Sequence, residues 1–181
     1  KKSEGKGTMR EILGGKGAGL AEMTEIGINV PPGFTISTEV CDIFYKNKKS
    51  LPKKIIEETE KNIIKLEAMT SKGFGDPINP LLVSVRSGAM FSMPGMMDTI
   101  LNLGLNDKTV NGVIKKTKNP RFEWDSYRRF IQMFSDVVLK VEKELFEKKL
   151  EALKNKKNVI NDVYLDSNSL KQLVGEFKKI V

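Results

Sequence analysis

An arginine at the end of an apolar run, followed by serine and glycine, can hold a phosphate group. Val83-Ser84-Val85-Arg86-Ser87-Gly88-Ala89 has that form. A guanidinium presents a planar fork of charged donors, and the glycine-bearing loop that follows, through Gly95, can lay backbone N–H groups against oxyanions. An arginine snorkelling from a strand edge fits the same residues. A second such feature is Gly14-Gly15-Lys16-Gly17. It sets a lysine at a glycine-rich helix start, where unsatisfied N–H groups and the helix dipole both favour negative charge. The spacing of a Walker A loop is absent, and a flexible turn with an exposed lysine accounts for these residues equally well. A third group is Arg121 with the pair Arg128-Arg129, flanking Trp124 and Tyr127. One of these could reach across a cleft, although surface arginine on an amphipathic helix is the plainer reading of the residues alone.

Other residues in these segments carry weaker signals. Met90, Met93, Met96 and Met97 beside Gly95 suit either a mobile flap or core filler. Asp98 could partner a metal or hydroxyl, but a cap for the turn after it is the simpler role. The inventory also excludes chemistry. The 181 residues include no histidine and one cysteine, Cys41. Histidine-based nucleophile pairs, zinc clusters and an internal disulfide therefore have no place within the chain, so no catalytic or metal-binding residue is assigned. The net charge of +8 comes from 26 lysines and five arginines set against 23 acidic residues. Most lysines alternate with glutamates along helical stretches, as on a solvated face. No aromatic platform interleaves with them, so nucleic acid is not expected as a partner. No apolar run approaches the roughly 20 residues that cross a membrane. The lone cysteine and the absence of a signal segment suggest the cytoplasm, or the interior of an organelle.

The elements that must position these groups are legible in outline. Gly14 to Leu20 leads into a short helix with Leu20 and Met23 inward, stopped by Gly27. Pro31-Pro32-Gly33-Phe34-Thr35-Ile36 reads as a turn into a short strand, and Ser37 or Thr38 as the cap of a helix through Tyr45. Pro52 opens a helix over 53–69 with Ile55, Thr59, Ile63 and Leu66 on one face. Gly73 to Pro80 is a loop, and Leu81 to Val85 a buried strand. Asn119-Pro120 breaks the chain. Asp125 is expected to cap a helix whose stripe runs Tyr127, Phe130, Ile131, Phe134, Val137, Val138, Val141 and Leu145. Asp166 caps a last helix through Ile180. Phe130, Phe134, Val138, Phe177 and Ile180 are expected to be buried together. The fold class is α+β, with a boundary near residue 105.

Taken together, the segments resemble the nucleotide-binding domain of the pyruvate, phosphate dikinases. The resemblance rests on Leu13 to Met23, Pro31-Pro32-Gly33-Phe34-Thr35-Ile36, Gly75-Asp76-Pro77 with Asn79 to Ala89, Ser92-Met93-Pro94-Gly95-Met96-Met97-Asp98-Thr99, and Asn119 to Phe134. These follow one another in the family's order over nearly the whole chain. The Met-Pro-Gly-Met-Met-Asp-Thr run separates the match from the pyruvate, water dikinases, which remain an alternative. Met90-Phe91 departs from the family, which usually has an arginine and a small residue there.

The resemblance implies an ATP-grasp-like nucleotide-binding lobe over 1–105 and a helical subdomain over 106–181. It further implies a domain continued beyond Val181. Lys16 and Arg86 would contact nucleotide phosphates, Gly95 would lie in the loop over them, and Arg129 would reach them from the helical part. The family interconverts ATP, phosphate and pyruvate with AMP, pyrophosphate and phosphoenolpyruvate, using magnesium and a phosphohistidine. Here the histidine, the magnesium ligands and the pyruvate site would belong to other domains, and the complete enzyme would be a homodimer. A non-catalytic interaction module that kept this fold is the competing expectation.

Overall fold

The computed structural model describes residues 3–88 and 99–181. The fold is α+β and mostly helical, with one two-stranded sheet among the described residues. Two compact units can be distinguished. The first comprises the chain up to Ser71 and the segment opening at Arg86; the second comprises Lys72–Val85 and Thr99–Val181.

The first unit holds helices α1 (Arg10–Glu25), α2 (Glu39–Lys46) and α3 (Lys53–Thr70). Helix α1 starts earlier than Gly14 and is broken there: Gly14 has φ 69° and ψ 169°. That region is essentially restricted to glycine. The chain therefore stops one helical turn and starts another at Gly15. Residues 30–37 join no strand and bend at Pro32, so the strand expected at Phe34–Ile36 does not form. The expected start of α3 at Pro52 is observed, and Leu66 is buried on its inner face.

The second unit contains strands β1 (Val83–Arg86, whose last residue belongs to the first unit) and β2 (Thr99–Leu103), and helices α4 (Thr109–Thr117), α5 (Pro120–Val137), α6 (Lys143–Lys157) and α7 (Ser167–Lys178). A single 3-10 turn, Asp162–Tyr164, precedes α7. Strand β1 is not buried as expected: Val85 is 45% exposed and Arg86 is exposed. Helix α4 was not foreseen. Its Gly112 allows the backbone to press on the 73–80 loop, since a Cβ there would lie 2.2 Å from the Pro77 carbonyl oxygen.

Helix α5 begins at Pro120 rather than Asp125. The Asn119 side chain accepts from the Phe122 N–H at 3.1 Å, and proline fits the first helical position because its missing N–H needs no partner there. The apolar stripe also ends sooner than its period suggested. Lys140 takes φ 58°, and the Val141 N–H returns to the Ser135 carbonyl at 3.0 Å. Val138 and Leu145 are consequently exposed, while Val141 packs on the core. Asp166 caps α7 as expected, accepting from the Ser169 N–H at 2.8 Å.

One apolar cluster fills this unit. Phe146 and Phe177 meet edge to face at 5.0 Å, surrounded by Trp124, Tyr127, Ile131, Leu170, Leu173 and Val174. Of the five residues expected to be buried together, Phe177 is fully buried. Phe130 and Ile180 pack partly buried against the cluster, Phe134 is half-buried against the Phe130 ring, and Val138 is out.

Candidate functional site

The break at Gly14 has a direct consequence for hydrogen bonding. In an unbroken helix the Glu11 and Ile12 carbonyls would accept from the N–H groups of Gly15 and Lys16. Here both carbonyls accept from Thr38. The Thr38 N–H donates to Ile12 O at 2.8 Å, and Thr38 Oγ1 donates to Glu11 O. The helix that restarts at Gly15 therefore presents its own first turn, with Lys16 in it, half-buried. N–H groups in such a turn have no partner at the preceding turn and favour an anion.

Glycine is needed around this turn for space as well as for conformation. A Cβ on Gly17 would come within 3.0 Å of the Thr35 side chain and 3.1 Å of Leu13 Cβ, so the chain at Thr35 lies directly against α1. Gly14, Ala18 and Ala21 are buried in the same helix. Small residues let backbone approach backbone.

The end of β1 reaches the same turn. A Cβ on Gly88 would sit 3.9 Å from the Leu13 carbonyl oxygen and 4.0 Å from Gly14 Cα. The Ser87-Gly88 backbone thus runs past the Gly14 break, and Arg86 and Lys16 belong to one unit. Two sequence features 70 residues apart come to one region: the strand-end arginine and the lysine of the glycine-rich turn. Among the described residues no carboxylate lies within salt-bridge distance of either cation. Two cations with no anionic partner among the described residues, beside a restarted helix turn, suit an oxyanion ligand. Gly95, Met90-Phe91 and the methionine run lie outside the described residues.

Arg129 lies in the second unit, on α5. Its side chain is 57% exposed and is held by two carboxylates, with Nε 3.0 Å from Asp125 Oδ2 and Nη2 3.0 Å from Asp162 Oδ2. Arg128 uses the same two acids from a buried position, 2.7 Å from Asp125 Oδ1 and paired with Asp162. Arg121 adds two bonds to the same segment, from Nε to Leu165 O and from Nη2 to Asp162 O, each 3.0 Å. Three arginines on one helix thus fix the 162–165 segment. The four charged side chains of Arg128, Arg129, Asp125 and Asp162 sum to zero, and Arg129 is the exposed member.

Sequence reasoning missed several of these partners. Asp125 stands three and four residues before Arg128 and Arg129, a spacing that signals pairing on a helix. It was instead given a capping role. Asp162 lies 34 residues from Arg128, and no local pattern announces it. Thr38 was read as a cap, but its hydroxyl turns to Glu11. Among the described residues, no group of three or more His, Cys, Asp or Glu side chains could hold a metal ion.

Comparison with known proteins points to one family. Residues 10–61 match the family described as "Pyruvate phosphate dikinase, AMP/ATP-binding domain", a stretch that includes Gly14, Lys16 and Thr38. The chain is 54% identical over 177 residues to "Pyruvate, phosphate dikinase" of Clostridium symbiosum, covering 98% of this chain and 20% of that protein. It is 53% identical over 176 residues to the protein of the same name from Entamoeba histolytica, covering 97% and 20%. It is 51% identical over 179 residues to "Pyruvate, phosphate dikinase 1, chloroplastic" of Oryza sativa, covering 99% and 19%. The chain spans about a fifth of the length of these relatives.

Proposed function

We propose that this chain, which belongs to the pyruvate, phosphate dikinase family, forms part of the ATP site of an enzyme that interconverts ATP, phosphate and pyruvate with AMP, pyrophosphate and phosphoenolpyruvate. The observation that carries this reading is the approach of Ser87-Gly88 to the Gly14 break. It sets Arg86 and Lys16 in one unit beside a helix turn suited to oxyanions.

In this reading Lys16 is a point charge on the nucleotide phosphates and Arg86 a bidentate donor. Both gain value as charge redistributes over the phosphoryl oxygens in the transition state. Gly95 lies in the loop over the phosphates. Arg129 is the remaining phosphate-binding candidate from the resemblance, an exposed arginine that could exchange a carboxylate for a phosphoryl oxygen. The ATP-grasp-like arrangement of the first 105 residues belongs to the same reading.

The phosphoryl acceptor is not on this chain, which has no histidine. The ligands of a magnesium ion, like the pyruvate site, would lie on other parts of the enzyme. A homodimeric enzyme of the cytoplasm or of an organelle completes the proposal. No helix of the described residues is long and apolar enough to cross a membrane.

The test is a calorimetric ATP titration of the chain beside its Lys16→Ala and Arg86→Ala forms. Each substitution is expected to weaken binding by about tenfold or more, since charge-assisted hydrogen bonds contribute ~1.5–3 kcal/mol. Equal affinity in all three would overturn the assignment. In the complete enzyme, Arg86→Ala is expected to slow AMP formation by ~10²–10³-fold. Arg86→Lys should recover little of that, because a point charge does not replace a planar fork. The chain alone, given labelled ATP, phosphate and magnesium, should yield no phosphoprotein.

A further inference from the structure

We propose that Thr38 is a positioning residue of the phosphate cradle, acting through the backbone of α1 rather than by touching the nucleotide. The proposal rests on the ATP reading above and deepens it. Its basis is a coincidence of register. The two carbonyls that Thr38 engages, Glu11 O and Ile12 O, are the helical acceptors for the N–H groups of Gly15 and Lys16. These are the first two residues after the Gly14 break.

A break at Gly14 alone would leave both carbonyls seeking donors. The nearest candidates by register are those same N–H groups, and closing the bonds would turn the donors away from a ligand. Thr38 removes that competition by supplying one donor from its backbone and one from its hydroxyl. The Gly15 and Lys16 N–H groups then remain for the oxygens of a polyphosphate. The hydroxyl is free for this task because α2 does not use it: Thr38 stands at the N-cap of α2 without a side-chain capping bond. The 27-residue separation between Thr38 and Glu11 makes the contact a tertiary one. It ties the end of the 30–37 segment to α1 just before the turn that carries Lys16.

The hydroxyl and the backbone bond can be separated experimentally. Thr38→Val keeps the side-chain shape and the N–H but removes the donor to Glu11 O. Thr38→Ser keeps both donors. The measurement is an amide-resolved NMR titration of the unaltered chain and the two variants with ATP and with inorganic tripolyphosphate, each with a thermal midpoint recorded without ligand.

In the unaltered chain the Gly15 and Lys16 amide signals are expected to shift with both ligands. In Thr38→Val the affinity for both should fall about tenfold, as expected for losing one orienting hydrogen bond. The Gly15 shift should shrink more than the Lys16 shift, because only the Glu11 carbonyl is released. Thr38→Ser should restore both. Lys16→Ala, titrated in parallel, separates the two levels of the argument. Loss of binding in Lys16→Ala with Thr38→Val unchanged would overturn the role of Thr38 and leave the ATP reading standing. Absence of ATP binding by the unaltered chain would overturn both. Should Thr38→Val fail to fold, the unaltered chain still decides: ATP binding that leaves the Gly15 and Lys16 amides unmoved contradicts the proposal.

Discussion

Residues 105–177 enclose twelve buried apolar side chains in one cluster around Phe146 and Phe177. Among the described residues, the first unit buries three: Ala18, Ala21 and Leu66. It leaves Ile26 71% exposed, Ile64 62% and Met69 64%. The motifs are distributed the other way round. The glycine-rich turn, Lys16, Thr38 and Arg86 belong to the first unit, whereas Arg128 and Arg129 of the second are tied to its own carboxylates. Burial of large side chains is the main source of stability, so the second unit should hold the fold. The first instead uses small residues and glycine geometry to set backbone groups where an anion can meet them. A region can thus be rich in function and poor in core.

The sharpest way to break this comparison is to remove one large side chain from each unit. Phe177→Ala empties a fully buried ring against Phe146 and is expected to cost about 3–5 kcal/mol. Leu66→Ala lies at the lower end of the range for leucine, about 2 kcal/mol, because few buried neighbours collapse around it. Urea denaturation gives both values, and an equal cost would remove the distinction.

Two glycine substitutions then sharpen it. Gly112→Ala forces a Cβ onto the Pro77 carbonyl and should cost about 1–3 kcal/mol while leaving ATP affinity intact. Gly14→Ala should cost a similar ~1–3 kcal/mol in backbone strain and abolish detectable ATP binding. Calorimetry on the two variants separates a packing glycine from a site glycine.

The smallest effect is a pH dependence confined to the second unit. Hydrogen bonds from the Ser169 N–H and hydroxyl pull the Asp166 carboxyl down to about 2. A carboxyl whose folded value is depressed stabilises the fold above its ordinary value of 3.8, and that stability fades as pH falls from there toward 2. Asp166→Ala should therefore lower the urea midpoint at pH 7, with the gap from the unaltered chain closing as acid is added. Burial raises the Glu123 carboxyl, which gives the opposite sign: stability is lost as pH rises from 4.5 through the raised value. Glu123→Gln should remove that loss.

The residues that carry local geometry were legible in the sequence. Pro52 opening α3, Asp166 capping α7 and Gly14-Gly15-Lys16 as a helix start all follow from neighbours within four positions. Elements whose form depends on tertiary contacts were misread. The stripe through Leu145 looked continuous because 3.6-residue spacing cannot register a left-handed residue at Lys140, which lets the chain turn back so that Val141 can pack. Leu81 to Val85 is mostly apolar and partly β-branched, yet Val85 is exposed, because composition signals a strand without saying which face is covered. Asn119-Pro120 does separate α4 from α5, but that Pro120 itself opens α5 is less visible, because proline ends helices more conspicuously than it begins them. At the site, Lys16 and Arg86 were legible as types. That the Ser87-Gly88 backbone passes the Gly14 break, and that Thr38 occupies two carbonyls of α1, could come only from the fold.

Hydrogen exchange of the chain with and without saturating ATP tests the central claim most directly, because it reads core and site in one experiment. The slowest amides should lie in α5 and α7, around Phe177, and ATP should change them little. Added protection should appear at Gly15 to Ala18 and at Arg86 to Gly88. ATP-induced protection confined to α5 and α7, with residues 14–18 and 86–88 unchanged, would contradict the division between a unit that holds the fold and a unit that holds the phosphates.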